Sequence, residues 1–470
     1  MKLTNKARHA LIALHFLLGL IAVYAASFFK FYYLGFFMVS IFIIVFKETT
    51  KNRITPFIIA YFVGMELLIR LSGAILLDQF GKYSIILLIL VSLIKTNRIY
   101  HIKPKVFVLF IMLMLVSLLF MNESYNRNVE LVSFYLSGPI CLALCVIYFY
   151  QMKMEFNRDF MGILFVSMLP IMASLVCIFL KSKSVQIDDL IYGANSSQSG
   201  GYGPNQVAVV LGYAIVVVIA AAMFKKPITG YFLFDIILLL VLVYRILITF
   251  SRGGFISAII SIVIAMAYVR FKNRNFFNTN KRAVFFVLFG FVLIGLSWYK
   301  TNETTGNKLA ERYDGYTGDT KYSDRREFSS GRDKLMLIEL EVFRDNWIVG
   351  VGPGMATPYR SALFRRGEET VASHTEFTRM LAEHGLYGLL ALLILFLFPL
   401  VRLRKVNNST EGFVLVLFVT LSILTLSHNS HRLVLPSFLY GMAFVHLYSG
   451  ELDSKRVKLG IINNDLERKN

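Results

Sequence analysis

Polar and apolar positions along this chain fall into long blocks rather than into a helical or strand period. Apolar runs occupy about 10–29, 31–46, 56–78, 83–95, 106–121, 129–150, 159–180, 205–223, 229–248, 255–270, 283–299, 386–401, 412–427 and 433–449. Most hold roughly 16–23 residues, enough or nearly enough to cross a bilayer as a helix. They are apolar all round, whereas a helix on a soluble core keeps a polar face. The pattern predicts an all-α, polytopic integral membrane protein with about 12–14 transmembrane helices. The lower count applies if short runs, such as the one ending at Phe46, form tight or re-entrant hairpins.

One long polar stretch interrupts the pattern, from about Thr301 to Gly388. Within it, Leu335, Ile338 and Val342 share one helical stripe, with Met336, Leu340, Phe343 and Trp347 beside it. Asp333 to Trp347 therefore reads as an amphipathic helix. Thr375 to Leu386 reads as a second helix that continues into the next span. Between them, Gly350-Val351-Gly352-Pro353-Gly354 reads as a turn. It is not a dinucleotide fingerprint, because no strand–turn–helix context surrounds it and a proline sits inside. The expected organisation is an N-terminal bundle (1–299), a large, partly helical extracytoplasmic loop (300–385), C-terminal spans (386–450) and a cytoplasmic tail (451–470). No repeat, Pro-rich linker or low-complexity tract divides it further.

Composition agrees with the class: 56% of the 470 residues are hydrophobic and mean hydropathy is +0.62. The net charge of +20 would suggest nucleic acid in a soluble protein. Here the Lys and Arg clusters have a topological use, and no nucleic-acid partner is expected. They fall at the N-terminus (Lys2, Lys6, Arg8), Lys47–Arg53, Lys95–Lys105, Lys153–Arg158, Lys225-Lys226, Arg270–Arg282, Arg402–Lys405 and the tail. Alternate connections carry nearly all of them, so the positive-inside rule places both termini in the cytoplasm. The first run then reads as an uncleaved signal anchor. The opposite face receives the Lys181–Pro204 connection, the Ser251–Gly254 turn, the long polar segment, and the turn carrying His428, His431 and Arg432. Cys141, Cys145 and Cys177 lie inside apolar runs without metal-ligand spacing.

Several polar residues on that face have chemistry to offer. Arg252 follows one span, and Arg245 lies about two turns earlier, a spacing that would put both on one helix face. Buried cations at a membrane boundary need a counter-charge, and the planar guanidinium fork suits phosphate. Arg332, after Ser330-Gly331, stands where helix N-terminal amides would assist anion binding. His374 has the chemistry to accept a proton from a hydroxyl, with Glu376 and Glu383 as possible orienting partners. Each also has a plain structural reading as a solvated or headgroup-facing charge. Asp188-Asp189 would be a weak divalent-cation site. Glu66 and Arg70, four apart, read as a structural intrahelical pair.

The order of these motifs carries more than any one of them. Gly203-Pro204-Asn205-Gln206, Ser251-Arg252-Gly253-Gly254, Ser330-Gly331-Arg332, Gly350 to Gly354, and Ser373-His374 with Ala382-Glu383-His384-Gly385 resemble the O-antigen ligase and polymerase (WaaL/Wzy-type) superfamily. The likeness spans about residues 190–400. It implies a GT-C-like, metal-independent membrane glycosyltransferase of lipopolysaccharide or capsule biosynthesis, with no cofactor, in the bacterial cytoplasmic (inner) membrane. Such enzymes move a glycan from undecaprenyl pyrophosphate to an acceptor hydroxyl on the extracytoplasmic face. Ligases use lipid A–core as acceptor; polymerases use a second lipid-linked glycan. Carried over by position, Arg252 and Arg332 would hold the pyrophosphate and His374 would activate or position the acceptor hydroxyl. Arg245, Asn205 and Glu376 are expected to contact pyrophosphate or glycan. Thr375 stands where asparagine often follows the histidine, and the spans exceed the twelve usual in ligases, so ligase and polymerase both stay open.

Two other readings compete. A lipid-linked oligosaccharide flippase or other transporter would distribute charges through its spans and repeat its halves. A metal-dependent glycosyltransferase using Asp188 and Asp189 would be chelator-sensitive. The enzyme reading needs the polar segment outside the cell's cytoplasm. A reporter fused after Asn307 is therefore expected to report an extracytoplasmic position, and a cytoplasmic signal would undo the proposed topology.

Overall fold

The computed structural model describes residues 4–50, 52–74, 79–121, 129–182, 194–272, 281–314, 332–363 and 373–448. Asp188-Asp189, Ser330-Gly331 and the tail 451–470 lie outside them.

Each apolar run of the sequence contributes a helix among the described residues, the last one (433–449) only over Leu435–Met442 before it ends in a short strand. In chain order the helices are α1 (Asn5–Tyr24), α2 (Ala26–Lys47), α3 (Thr55–Ser72), α4 (Phe80–Lys95), α5 (Val106–Val116), α6 (Val129–Phe149), α7 (Met161–Lys181), α8 (Pro204–Met223), α9 (Phe232–Ile248), α10 (Arg252–Lys272) and α11 (Lys281–Thr304). The polar segment contributes α12 (Lys308–Tyr313), α13 (Arg332–Asp345) and α14 (Ala356–Leu363). The chain then returns through α15 (Glu376–Lys405), α16 (Ser409–Asn429) and α17 (Leu435–Met442). Nine helices among the described residues are long and apolar enough to cross a membrane. Both helices before Phe46 are among them, α1 and α2 being separated only at Ala25. The protein is an all-α, multi-pass membrane protein. Its one small sheet pairs β1 (Lys153–Glu155) in parallel with β2 (His446–Tyr448).

Local chemistry explains the helix ends. Thr4 accepts the Ala7 amide at 3.3 Å to start α1, and Pro56 and Pro204 occupy first-turn positions of α3 and α8, where no intrahelical N–H is needed. Proline inside α6, α7 and α15 is tolerated because neighbouring helices enclose the freed carbonyls. The core runs through α3, α7 and α8, while α1, α2 and α15 leave an apolar side outward, as lipid-facing helices do.

Buried polar ties fix the bundle's register. Glu66 pairs with Arg70 at 3.3 Å, and its other oxygen accepts the Val434 amide at 2.8 Å. The intrahelical pair read from the sequence thus also pins the start of α17 to α3. Near the other end of the bundle, the Glu48 carboxylate gathers the Thr55 amide, Ser92 and Tyr148. Each buried carboxylate is satisfied by several donors, as a low-dielectric interior demands.

Two sequence expectations need correction. Arg245 and Arg252 do not share a helix face: α9 ends at Ile248, and Phe250 adopts a left-handed φ of 56° before α10 begins. The reversal at 249–251 separates them. In α13, Leu335, Ile338 and Val342 turn inward as expected, but Met336, Leu340 and Trp347 are exposed. The fourth inward position belongs to Glu339, which shares the stripe by its i, i+4 and i, i+3 relations to Leu335 and Val342.

The Gly253-Gly254 pair sets the approach of α10 to its neighbours. A Cβ at Gly254 would lie 2.4 Å from the Ala208 carbonyl of α8, and one at Gly253 would lie 2.3 Å from the His428 ring of α16. Backbone cannot yield as a flexible side chain can, so overpacking here costs about 1–3 kcal/mol or more. Gly254→Val is expected to lower the melting temperature of the purified protein measurably. An unchanged melting curve would contradict this account of the α8–α10 contact.

Candidate functional site

Five separate pieces of chain converge at one end of the bundle. Arg252 is the first residue of α10 and Arg332 the first of α13, so both guanidiniums stand at the positive ends of helices. Arg312, in α12, binds back to this pair: Arg252 Nη1 donates to the Arg312 carbonyl at 2.9 Å. Arg432, in the turn between α16 and α17, donates to the Ser373 carbonyl at 3.4 Å. His374 follows Ser373 immediately. His428, at the end of α16, lies against Gly253.

The electrostatics follow from that convergence. Burial, then the like charges of Arg252 and Arg432, lowers the proton affinity of Arg332. Burial and the charges of Arg252 and Arg332 pull Arg312 down to about 10. His374 is depressed furthest, to about 3, by burial first and then by Arg432, Arg332, Arg360 and His428. Its imidazole is therefore neutral at physiological pH. Its Nδ1 is buried with no hydrogen-bond partner among the described residues. Arginines brought this close repel one another, and an anion set among them would relieve the repulsion.

Three buried carboxylates brace this assembly from behind. Glu339 of α13 is 1% exposed. It accepts from Arg360 of α14 at 2.8 Å, and from the hydroxyls of Ser373 and Thr378, each at 2.5 Å. It thus holds the chain on both sides of His374. Glu376, the first residue of α15, and Glu383, two turns on, both grip Arg379, which also stacks over Tyr135 at 4.8 Å. Glu376 further approaches His431 Nδ1 at 2.7 Å. Neither carboxylate bonds to His374, so the expected orienting role is corrected: burial at spacings of three and four residues commits both to Arg379.

The glycine-rich turn lies beneath, as its composition suggested. Val351 N donates to Ala382 O at 3.0 Å, Gly352 N to Glu383 O at 2.9 Å, and Leu386 N to Ile348 O at 3.1 Å. Gly350 and Gly385 face each other at positive φ (71° and 56°), and a Cβ on either would lie within 2.7 Å of the opposing backbone. The Gly385 break also lets α15 turn from this clasp into its spanning part. His384 is buried and meets Ser117 at 2.6 Å, a packing role.

Residues 236–393 match the family model Wzy_C, described as O-antigen ligase. That stretch, about a third of the chain, is similar to the O-antigen ligase family. A comparison with curated proteins gives no match. The Wzy_C region begins within α9 and ends within α15, so it includes Arg252, Arg312, Arg332, Glu339, His374 and Arg379. Arg432 and Asn205 lie outside it and join the same end of the protein through the fold.

Among the residues expected from the sequence, Arg252, Arg332 and His374 come together. Asn205 accepts from Ser251 at 2.8 Å and braces the turn before Arg252. Arg245 sits on α9 with its guanidinium 3.5 Å from the centre of the Phe179 ring. Sequence reasoning did not single out Arg312, Glu339, Arg360 or Arg379. A signal existed for two: a carboxylate on the apolar stripe of α13, and the Glu376–Arg379–Glu383 spacing. Arg312 and Arg432 offered none beyond their side of the membrane.

Glu339 is a positioning residue for His374. Glu339→Gln is expected to lower glycan transfer at least about tenfold, some 1.4 kcal/mol of barrier, with the protein still present in the membrane. Arg344→Gln, on the exposed side of the same helix, should leave transfer unchanged. Equal activity in both variants would remove Glu339 from the site.

Proposed function

We propose that this Wzy_C protein is a metal-independent glycosyltransferase that moves a glycan from a lipid pyrophosphate to an acceptor hydroxyl. The match of residues 236–393 to Wzy_C supports a role in O-antigen or surface polysaccharide assembly. The observation that carries the finer reading is the gathering of Arg252, Arg312, Arg332 and Arg432 beside a neutral, buried histidine. Undecaprenyl pyrophosphate is the donor carrier that fits, with lipid A–core or a second lipid-linked glycan as acceptor. The proposed orientation puts both termini in the cytoplasm and the arginine cluster, with the 300–385 loop, at the extracytoplasmic face of the inner membrane.

The chemistry balances without a further reactant. The acceptor oxygen attacks the anomeric carbon opposite the pyrophosphate, the C1–O bond to phosphate breaks, and the configuration inverts. The acceptor proton passes to the His374 imidazole. Negative charge grows on the departing pyrophosphate, where preplaced guanidiniums stabilise the transition state more than the ground state. A donor pyrophosphate among the arginines would also offset their share of the depression of His374, the part that adds to burial. Base strength would then rise only when the donor is bound, because the same charges act on both. Glu376 acts in this reading through Arg379 and His431, and Asn205 through Ser251. Arg245, stacked on Phe179, would meet the lipid carrier from the α9 side.

Removing one such cation is expected to cost roughly 3 kcal/mol, about a hundredfold in rate. Arg332→Ala and Arg252→Ala should therefore abolish long surface glycan on a gel while the protein remains expressed and chelator leaves the wild type active. Full glycan in Arg332→Ala would sink the pyrophosphate clamp. In a deletion strain, loss of all long glycan from lipid A would assign ligase, and a single repeat left on the core would assign polymerase.

A further inference from the structure

A second concavity, lined by Arg98 and Lys103, lies at the opposite end of the bundle. α4 and α6 both begin beside the arginine cluster, with Lys82 and Tyr135 near their starts, and run away from it. At their far ends Leu93, Arg98, His101, Ile102, Lys103, Ile147, Tyr150 and Gln151 line a cavity of about 450 Å³, part of it open to solvent. Leu93 and Ile147 are its buried apolar part; Arg98, Lys103, His101, Gln151 and Tyr150 supply donors, with no carboxylate among the lining residues. The Arg98 guanidinium is held in place, donating to the Tyr148 carbonyl at 3.0 Å and lying 5.5 Å from the Tyr148 ring centre.

A second observation points the same way. Arg53 stands close enough to Arg98 for its charge to weaken that guanidinium's hold on its proton, after the larger effect of burial. Its Nη1 is buried without a hydrogen-bond partner among the described residues. The nearby carboxylate, Glu48, also acts on Arg98, but its oxygens are taken by Thr55, Ser92 and Tyr148. Surface cations that only orient a span sit apart in water. Here they converge on a cavity with a buried apolar part, the arrangement that suits a phosphate carried on an acyl chain or glycerol.

We infer that the cavity between Arg98, His101, Lys103 and Gln151 is a binding site for a phosphate group, that of an anionic lipid headgroup or of a free phosphate. It is distinct from the transfer site and lies on the other membrane face. Anything that binds the folded protein raises its melting temperature by mass action. Purified full-length protein in phosphatidylglycerol nanodiscs should melt above the same protein in phosphatidylcholine. Most of that difference should vanish in Arg98→Gln/Lys103→Gln and persist in Arg332→Ala, which separates this site from the arginine cluster. Lys103→Glu alone, at an exposed position that folding tolerates, should also shrink it. Inorganic phosphate added in phosphatidylcholine nanodiscs distinguishes the source: a matching rise that the double variant loses assigns free phosphate, and no rise assigns the lipid headgroup. A phosphatidylglycerol effect that survives intact in both Lys103→Glu and the double variant, or that is absent from the wild type, would overturn the inference.

Discussion

Mutual repulsion among arginines is the constraint that organises this protein. Four guanidiniums, Arg252, Arg312, Arg332 and Arg432, are held together at the edge of a hydrocarbon-facing bundle, where a low dielectric strengthens their repulsion. They cannot gather by attraction to one another. Each is delivered by a different element: the start of α10, the short α12, the start of α13 and the turn after α16. The positions of those elements are fixed elsewhere, by apolar packing in the span interiors and by carboxylates buried behind the cluster.

Those carboxylates explain the division of labour in the polar segment. Glu339, Glu376 and Glu383 are among its most enclosed side chains, yet they are spent on Arg360, Arg379, Ser373 and Thr378. A buried carboxylate that loses its partner leaves an uncompensated charge costing about 3–5 kcal/mol. The loop therefore holds one shape, and His374 sits at a set place within it. The cost of pairing acids with bases behind the site leaves a net positive face in front.

The polar segment that interrupts the hydropathy pattern is thus half of a site. It supplies Arg312, Arg332 and His374, while the bundle supplies Arg252 and Arg432. The match to Wzy_C follows the same boundary from within α9 to within α15, so Arg432 completes the cluster from outside it. The first helices contribute less directly. They enclose α3 and α7, and α3 in turn pins α17 through Glu66 and Val434.

Hydropathy alone determined the helical, membrane-spanning class and nearly every spanning helix, because a backbone in hydrocarbon must satisfy itself and unbroken apolar runs this long do so as helices. The ordered motifs also named Arg252, Arg332 and His374, since each sits beside a glycine or a helix start that leaves a local trace. Tertiary structure decided which distant residues joined them. Arg432 reaches Ser373 only because the turn after α16 and the start of α17 pack on α6, and Arg312 meets Arg252 only through the return of α12. It also decided that Glu376 and Glu383 serve Arg379 and leave His374 without a carboxylate. Spacing within one helix shows which side chains can touch, but the choice among partners is made by burial, and burial belongs to the whole fold.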